Sequence, residues 1–309
     1  MGVVYKALDT HLDRHVALKL LPPERVADPE RKRRFVQEAK SASALNHPNI
    51  VTIHDIAADG GLDFIVMEYI KGRTLAALIR DGLSKERVIA WLYLPRQGKP
   101  PFQTVVYFPG SGVIQARALS TRHVQSIDFL LKSGRAVMLP VYKGTLERGD
   151  ELSSDYPATT ASYRDHVIAW SKDMRRSIDY LETRPEIDLA KLAYQGTSWG
   201  GAMGAIMTAV EDRIKVNVLM VPGFYLQKAL PEVDQLNFAP RVKVPTLMLN
   251  GHFDFFYPVE TSQLPMFQML GTPKEHKRRV MYETGHNIPR NELIKETLDW
   301  LDRYLGPAK

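Results

Sequence analysis

A serine between two glycines is the residue of this sequence best suited to nucleophilic chemistry. Ser198 is the centre of Gly196-Thr197-Ser198-Trp199-Gly200, and in the pattern G-x-S-x-G the serine occupies a sharp turn between a strand and a helix. The glycines have no Cβ, so they allow the strand and the helix to approach closely. The helix that begins there points its free N–H groups at developing negative charge. The pattern therefore predicts a serine that attacks an acyl carbon.

Two residues further along the chain could complete this chemistry. Asp254 follows a predicted strand over 246–250, and His286 follows a predicted strand over 279–282. A serine needs a histidine to take its proton, and a carboxylate fixes the tautomer of that histidine and stabilises its cation. An isolated aspartate or histidine is more often structural, and G-x-S-x-G alone occurs by chance in roughly one chain in ten of this length. Together, the three residues predict acyl transfer with Ser198 as nucleophile, His286 as base and Asp254 as its partner.

The negatively charged intermediate of acyl transfer needs hydrogen-bond donors that are in place before the reaction. One donor is expected to be the backbone N–H of Trp199, directly after the serine. The other is expected in Phe-Pro-Gly-Ser-Gly at 108–112, a loop after an early predicted strand. By its position we assign it to the backbone N–H of Ser111. Loss of one such donor typically costs about 3–4 kcal/mol of transition-state stabilisation.

The elements that would position these residues alternate along 85–309. Predicted strands cover 88–94, 104–108, 136–141, 192–195, 216–221, 246–250 and 279–282. Predicted helices cover 115–132, 163–182, 199–210, 260–270 and 290–304. This alternation is typical of an α/β fold with a mostly parallel sheet flanked by helices. Several strands are almost continuously apolar, which indicates that helices cover both faces of the sheet.

The connections between these elements add three expectations. The turn-rich stretch 95–101 predicts a hairpin loop. The polar stretch 142–162 is expected to border or cover the pocket. Several aromatic residues near the catalytic loops are expected either to line an acyl pocket or to belong to the core: Trp199, Phe224, Tyr225, Phe255 and Phe256.

Over about 87–309 the chain resembles the α/β-hydrolase superfamily, whose triads occur in the chain order serine, aspartate, histidine. It looks most like bacterial esterases and the dienelactone-hydrolase and prolyl-oligopeptidase-like branches. Dienelactone hydrolases use a cysteine nucleophile, whereas this chain has no cysteine, and the loop at 108–112 differs from the His-Gly-Gly-Gly of many lipases and esterases. The resemblance implies a serine carboxylesterase that hydrolyses short-chain acyl esters through an acyl-enzyme. The alternative is a serine peptidase of the prolyl-oligopeptidase type, although such peptidases usually carry a large propeller domain.

The first block, over 1–84, resembles the N-terminal lobe of bacterial serine/threonine protein kinases over about 1–79. Gly-Val-Val at 2–4 is similar to the end of the glycine-rich loop, and Val-Ala-Leu-Lys, ending at Lys19, is similar to the strand of the phosphate-binding lysine. Glu38 matches the ion-pair partner of that lysine. Further similar runs correspond to the segment after the next helix and to the hinge, at 46–51 and 67–69.

The sequence lacks the parts of a kinase that transfer a phosphoryl group. It contains neither His-Arg-Asp nor Asp-Phe-Gly, and the nearest runs, at 163–165 and 254–256, lack the required asparagine and glycine. We therefore expect a small non-catalytic α+β domain in which Lys19 and Glu38 form a vestigial ion pair. A nucleotide-binding regulatory module is the alternative. The predicted elements of this block are strands over 3–7, 16–21, 50–56 and 62–69 and helices over 28–45 and 74–80.

Composition bears on partners and location. The formal net charge is +6, but the basic run at 31–34 is typical of one solvated helix face, so no nucleic-acid partner is expected. The N-terminus has no signal-peptide pattern, and no apolar run is long enough to span a bilayer, so we expect a cytoplasmic protein without a membrane partner. The expected partner is a small-molecule ester, and neither a cofactor nor a metal is expected. An unpaired sheet edge in the first block leaves a homodimer open.

Overall fold

The structure is a computed structural model that describes residues 4–20, 51–59, 62–69 and 88–308. The chain divides into two compact units, 1–85 and 86–309. The helices predicted over 28–45 and 74–80 lie outside the described residues.

The described part of the first unit is a four-stranded antiparallel sheet. Its strands are β1 (Val4–Asp9), β2 (Arg14–Leu20), β3 (Ile53–Asp59) and β4 (Leu62–Glu68), in the order β1-β2-β4-β3. Val16 on β2 and Ile65 on β4 are buried, whereas Val4, Tyr5 and Leu8 on β1 are exposed. The four predicted strands therefore lie where strands form, with ends that shift by a few residues.

The second unit is built on a seven-stranded sheet. Its strands are β5 (Ile89–Tyr93), β6 (Phe102–Phe108), β7 (Ala136–Val141), β8 (Ile187–Thr197), β9 (Ile214–Met220), β10 (Thr246–Gly251) and β11 (Lys277–Tyr282). They lie in the order β11-β10-β9-β8-β6-β7-β5. All neighbours pair in parallel except β5, which runs antiparallel to β7. The predicted α/β class with a mostly parallel sheet is confirmed.

Helices cover both faces of this sheet. They are α1 (Gly112–Gln115), α2 (Thr121–Lys132), α3 (Ala161–Leu181), α4 (Trp199–Met207), α5 (Gln235–Phe238), α6 (Leu264–Met269) and α7 (Arg290–Leu305). Side chains of successive strand residues point to opposite faces, so Val106 packs in a core with α3 and α4 while Val105 packs in a core with α2 and α7. This double cover explains why β7 is buried along its whole length.

Two sequence predictions about connections are wrong. The stretch 95–101 is not a hairpin loop, because β7 lies between β5 and β6 in the sheet. The helix predicted over 115–132 forms only over 121–132, as α2, since Ala116 is extended (φ −77°, ψ 144°) and ends the separate short helix α1 at Gln115. Arg117 lies in the segment between α1 and α2, and its guanidinium packs against Gly149. A Cβ on Gly149 would lie 2.1 Å from Arg117 Nη1.

None of the helices in the described ranges combines the length and the apolar character that a membrane span requires.

Candidate active site

Ser198 occupies the sharp turn between β8 and α4. Its backbone has φ 53° and ψ −111°, a positive φ that costs a residue with a Cβ roughly 1–3 kcal/mol. Two hydrogen bonds hold the turn: the Ser198 N–H donates to the Met220 carbonyl at 2.8 Å, and the Ala202 N–H donates to the Ser198 carbonyl at 2.8 Å. The strained turn raises the serine side chain above the carboxyl ends of the parallel strands.

The two glycines that flank the serine are required by close backbone contacts. A Cβ on Gly196 would lie 2.1 Å from the Gly200 carbonyl oxygen, and a Cβ on Gly200 would lie 2.1 Å from the Phe108 carbonyl oxygen. Neither contact involves a flexible side chain that could move aside. The spacing of G-x-S-x-G in the sequence is thus explained by the approach of α4 to β8 and β6.

His286 and Asp254 lie with Ser198 in one hydrogen-bonded chain. His286 Nε2 is 2.7 Å from Ser198 Oγ, and His286 Nδ1 is 2.7 Å from Asp254 Oδ2. An ionised carboxylate only accepts hydrogen bonds, so Nδ1 carries the proton and Nε2 is free to accept from the serine. The three residues predicted from the sequence are therefore brought together at hydrogen-bonding distance.

The loops after β10 and β11 set the position of the two partners. Asp254 Oδ1 accepts hydrogen bonds from the backbone N–H groups of Phe256 at 3.0 Å and Tyr257 at 3.2 Å, and the Asp254 side chain is fully buried. A Cβ on Gly251 would lie 1.9 Å from the Gly285 carbonyl oxygen. Glycine at 251 therefore lets the loop that carries Asp254 lie against the loop that carries His286.

Aromatic rings surround the imidazole. The ring centroid of Phe256 lies 4.8 Å from that of His286, and the centroid of Tyr257 lies 5.8 Å from it. Burial raises the pKa of Tyr257 well above its usual value, so its hydroxyl stays neutral beside the Asp254–His286 pair. Both residues also line the cavity onto which His286 opens, and the imidazole remains partly exposed there.

Of the two residues predicted to supply the oxyanion donors, Trp199 directly follows the serine and Ser111 lines the same cavity as Ser198. Trp199 is the first residue of α4, and Ser111 immediately precedes α1. Within the described ranges, neither N–H group donates a hydrogen bond. The Gly200 N–H donates to the Pro109 carbonyl at 3.1 Å, which ties the loop at 108–112 to the start of α4. Both N–H groups are thus without a partner among the described residues, and their role as oxyanion donors stays a prediction.

Ser198 and His286 open into a cavity of about 320 Å³. Its lining comes from six separate stretches of the chain: Ser111, Ile114, Gln115, Ser153, Ser154, Asp155, Tyr156, Ser198, Tyr225, Phe256, Tyr257 and His286. The expectation that 142–162 borders the pocket is met by the residues at 153–156.

The aromatic residues named from the sequence divide between the pocket and other environments. Tyr225 and Phe256 line the cavity, whereas Trp199 and Phe224 are buried in the core around α3 and α4. Phe255 is 75% exposed and lies outside the cavity lining. Tyr257 also lines the cavity and is not among the residues named from the sequence, although its position three residues after Asp254 is a usable signal.

One wall of the cavity carries a carboxylate bound to a tyrosine. The Tyr225 hydroxyl donates a short hydrogen bond to Asp155 Oδ2. Burial raises the pKa of Tyr225 well above its usual value, and the neighbouring Tyr257 and Asp155 raise it further. Tyr225 therefore remains a donor, and Asp155 is fixed as the acceptor.

Within the described residues, one group of metal-ligating side chains comes together, with ligand atoms of Asp150, Glu151 and His166 within 4.8 Å of one another. Both ring nitrogens of His166 are already engaged, Nδ1 with the Ser162 carbonyl at 2.8 Å and Nε2 with Asp150 Oδ2 at 3.0 Å. Lys143 Nζ lies 3.8 Å from the same Asp150 oxygen. These contacts fit an ion-pair network that fixes the segment beside the cavity.

The residues of the kinase resemblance are separate from this site. Lys19 lies exposed on β2 in the first unit, and Glu38 lies outside the described residues. The Lys19–Glu38 pair therefore stays a prediction. Tyr-Arg-Asp at 163–165 is part of α3, and Asp-Phe-Phe at 254–256 is the loop that positions His286. Both runs belong to the second unit, and of the two only the run at 254–256 contributes to the candidate site.

Comparison with known proteins finds two different similarities. Residues 1–94 match the protein kinase domain family. A probable serine/threonine-protein kinase of Clostridium acetobutylicum is 49% identical over 80 residues, 26% of this chain and 12% of the kinase. Serine/threonine-protein kinase PrkC of Bacillus subtilis is 49% identical over 79 residues, again 26% of this chain and 12% of the kinase. The chain thus spans about an eighth of these relatives' length.

The kinase match and the structural units differ at their border. The family match extends to residue 94, whereas the first unit ends at Lys85. Strand β5 (Ile89–Tyr93) pairs with β7 over its whole length. We therefore assign β5 to the second unit.

Solved structures resemble the second unit. A cold-adapted esterase from an Arctic intertidal metagenomic library has 22% identity and a TM-score of 0.54, over 71% of this chain and 88% of the esterase. A candidate dienelactone hydrolase from Klebsiella pneumoniae has 17% identity and a TM-score of 0.56, over 72% and 95%. A puromycin-hydrolyzing peptidase of Mycobacterium tuberculosis has 18% identity and a TM-score of 0.55, over 71% and 37%. The second unit has the α/β-hydrolase fold.

Proposed function

We propose that residues 86–309 are a serine carboxylesterase that hydrolyses short-chain acyl esters through an acyl-enzyme. The observation that carries the proposal is the hydrogen-bonded chain from Asp254 through His286 to Ser198, with 2.7 Å at each link, at the wall of a cavity. A strained serine at a helix N-terminus, a neutral imidazole and a buried carboxylate are the parts that nucleophilic acyl transfer requires.

In the first step Ser198 Oγ attacks the carbonyl carbon of the ester as His286 Nε2 takes the hydroxyl proton. Asp254 accepts a hydrogen bond from Nδ1–H and stabilises the imidazolium that forms. The carbonyl π electrons move to oxygen, and the N–H groups of Ser111 and Trp199 donate to that oxyanion. When the tetrahedral intermediate collapses, the bond to the alkoxy group breaks and His286 gives its proton to the departing alcohol.

Water then completes the cycle. It attacks the acyl-enzyme carbonyl while His286 takes one of its protons, and collapse of the second intermediate returns that proton to Ser198 Oγ. The carboxylic acid leaves, and the enzyme is restored. Each proton passes through Nε2, so the reaction requires no group beyond the side chains and backbone of the chain and a water molecule.

The size of the cavity supports short acyl groups. A volume of about 320 Å³ lies near the lower end of the range of about 300–1,000 Å³ that small-molecule sites occupy. Ile114, Phe256 and the tyrosine rings supply the apolar surface for a short chain. We therefore expect hydrolysis of p-nitrophenyl acetate and butyrate and a sharp decrease at octanoate.

The test compares the wild type with Ser198→Ala on p-nitrophenyl acetate, butyrate and octanoate. The proposal expects rapid release of p-nitrophenol from the two shorter esters by the wild type and release at the background rate by the variant. Activity that survives the substitution would show that Ser198 is not the nucleophile. A wild type that leaves all three esters intact would reject the esterase proposal.

A serine peptidase is the second candidate, because the peptidase of Mycobacterium tuberculosis is among the proteins of similar fold. The same residues would cleave an amide if His286 protonates the departing amine. The p-nitroanilide and the p-nitrophenyl ester of one acyl group distinguish the two. A higher kcat/KM for the anilide would favour the peptidase.

For the first unit we propose a structural role, with nucleotide binding as the alternative. The support is the absence of His-Arg-Asp and Asp-Phe-Gly from the sequence. Calorimetric titration of the full chain with Mg-ATP is expected to give no binding heat, and saturable heat would favour the nucleotide-binding module. We further propose that the enzyme is cytoplasmic. The homodimer left open by the sequence is tested by light scattering, which measures the molar mass in solution.

A further inference from the structure

The cavity beside Ser198 has an acidic wall. Asp155 is the one carboxylate among the described residues that line it, and that lining includes neither lysine nor arginine. The formal net charge of the whole chain is +6, so this local charge is opposite in sign to that of the protein. A charged group in a partly enclosed site acts on a ligand far more strongly than distant surface charges, which water and salt screen.

The carboxylate of Asp155 is not part of an ion pair within the described ranges of the chain. No basic side chain of the described residues forms an ion pair with Asp155. Its Oδ2 accepts from the Tyr225 hydroxyl, while Oδ1 accepts no hydrogen bond from a described residue. A neutral phenol orients a carboxylate and leaves its charge in place. Asp155 is thus a held negative charge that faces the cavity.

Aromatic rings stand next to this charge. Tyr156 and Tyr225 meet edge to face with centroids 5.9 Å apart, and Tyr225 and Tyr257 meet in the same way at 5.4 Å. Together with Phe256 they line the same cavity as Asp155. The faces of aromatic rings attract cations, and groups of such rings recognise quaternary ammonium ligands. A carboxylate with several rings around it is complementary to an ammonium group.

We propose that the cavity selects esters that carry a cationic ammonium group, with Asp155 as the residue that determines this specificity. The inference rests on the proposed function, because the cation would sit in the same cavity as the ester bond. Tyr225 acts as a positioning residue that holds Asp155. The rings of Tyr156, Phe256 and Tyr257 surround the methyl or methylene groups of the cation.

The test uses pairs of esters that differ only in charge. Acetylthiocholine is paired with the isostere in which tert-butyl replaces trimethylammonium, so that the cation lies on the leaving group. The p-nitrophenyl ester of trimethylammoniobutyrate is paired with its tert-butyl isostere, so that the cation lies on the acyl group. The two esters of a pair differ in intrinsic reactivity, so each kcat/KM is divided by the rate constant for hydrolysis of that ester by hydroxide. For at least one pair we expect the corrected kcat/KM of the cationic ester to be higher by roughly tenfold or more.

Asp155→Asn assigns the preference to its residue. Asparagine keeps an acceptor for the Tyr225 hydroxyl and removes the charge, so the ratio of the two kcat/KM values should fall to about one. Glu151→Gln is the matched control, because Glu151 is an exposed carboxylate of the same segment that does not line the cavity. It should keep the wild-type ratio. A ratio near one for both pairs in the wild type, or a preference unchanged in Asp155→Asn, would overturn the proposal.

A binding measurement separates this inference from the esterase proposal. The saturation-transfer NMR signal of tetramethylammonium on the full chain requires no turnover. We expect a signal with the wild type and with Ser198→Ala, and loss of the signal with Asp155→Asn. If tetramethylammonium binds but no ester is hydrolysed, the esterase proposal is rejected and the cation site is retained. If neutral esters are hydrolysed but tetramethylammonium does not bind, the cation site is rejected and the esterase proposal is retained. If Asp155→Asn fails to fold, the wild type alone tests the cation site. Tetramethylammonium should then inhibit hydrolysis of a neutral ester competitively, and no inhibition would reject the site.

Discussion

The first unit of this chain has the higher sequence identity to known proteins, whereas the second unit has the more complete set of candidate catalytic residues. The first unit is 49% identical to bacterial kinases over 80 residues, yet its Lys19 lies exposed and the sequence has no His-Arg-Asp or Asp-Phe-Gly. The second unit shares 22% identity or less with the three similar structures described, yet Ser198, His286 and Asp254 lie in one hydrogen-bonded chain. Sequence identity reflects common ancestry, whereas catalytic activity depends on whether a few side chains lie at hydrogen-bonding distance from one another.

The cores of the two units repeat this difference. In the described part of the first unit, Val16 and Ile65 are the buried apolar side chains, and β1 leaves Val4, Tyr5 and Leu8 exposed. In the second unit both faces of the sheet are covered, and large side chains such as Trp170 and Trp199 are fully buried. A strained turn such as that at Ser198 persists only where the surrounding structure holds it. The second unit supplies that support.

The largest expected effect contrasts one residue from each unit. His286→Ala should lower kcat/KM for p-nitrophenyl butyrate by about 10⁴-fold or more, because the serine loses the base that takes its proton. Lys19→Ala should leave the value unchanged, since this exposed lysine belongs to the first unit. Steady-state kinetics of both variants gives the comparison. An equal loss in the two variants would contradict the division of roles between the units.

Asp254→Asn should have a smaller but still large effect. The amide can hold the imidazole in the wrong tautomer and does not stabilise its cation, so kcat should fall by about 10³- to 10⁴-fold. KM should change little, because Asp254 is buried behind His286 and does not line the cavity. A KM that rises while kcat holds would place Asp254 in substrate binding instead.

Glycine substitutions test the support of the turn. Gly200→Ala should lower the free energy of unfolding of the second unit by about 2–4 kcal/mol, because its Cβ would lie 2.1 Å from the Phe108 carbonyl oxygen. Gly112→Ala is the matched control, since no atom lies within 4 Å of the Cβ it would add. Urea unfolding followed by tryptophan fluorescence measures both. Equal stabilities would show that α4 does not approach β6 this closely.

The smallest expected effect concerns acid stability. Burial alone would raise the pKa of Glu211, but hydrogen bonds from Arg213 outweigh burial and hold this pKa below its usual value. Burial also acts to raise the pKa of Asp179, and a hydrogen bond from Arg213 likewise helps to hold it below its usual value. A carboxylate whose pKa is lower in the folded state stabilises the fold above its unfolded pKa and loses that contribution as the pH falls.

Arg213→Gln should therefore lower the Tm of the second unit by a few degrees at neutral pH. The difference from the wild type should shrink as the pH is lowered through the range in which both carboxylates become protonated. Lys295→Gln breaks an exposed pair with Asp299 and should change the Tm less. Calorimetric scans from neutral to acidic pH follow both variants. A constant difference at every pH would rule out an ionic origin.

The sequence predicts the elements of the second unit well because local patterns determine them. Residues 136–141 are continuously apolar and form β7 at the predicted bounds. Gly196 and Gly200 mark a close approach that leaves a visible spacing. Asp254 and His286 each follow a strand, and parallel strands bring their carboxyl ends to one edge.

The rest depends on tertiary contacts that no local pattern carries. The hairpin expected over 95–101 is wrong, because the pairing of β5 with β7 is a long-range choice. The cavity wall combines Asp155 with Tyr225 from loops 70 residues apart, so its acidic character emerges only from the fold. Tyr257 lies beside His286 because the Asp254 loop turns back on itself through two backbone hydrogen bonds to Oδ1.

The most direct test of the central claim is covalent labelling of the full chain with a fluorophosphonate, which forms a stable bond to activated serines. The account predicts that intact-mass and peptide mass spectrometry find one label per chain, on Ser198, and that Ser198→Ala and His286→Ala stay unlabelled while Lys19→Ala labels like the wild type. A label on another serine, or a Ser198 that does not react in the folded wild type, would contradict it.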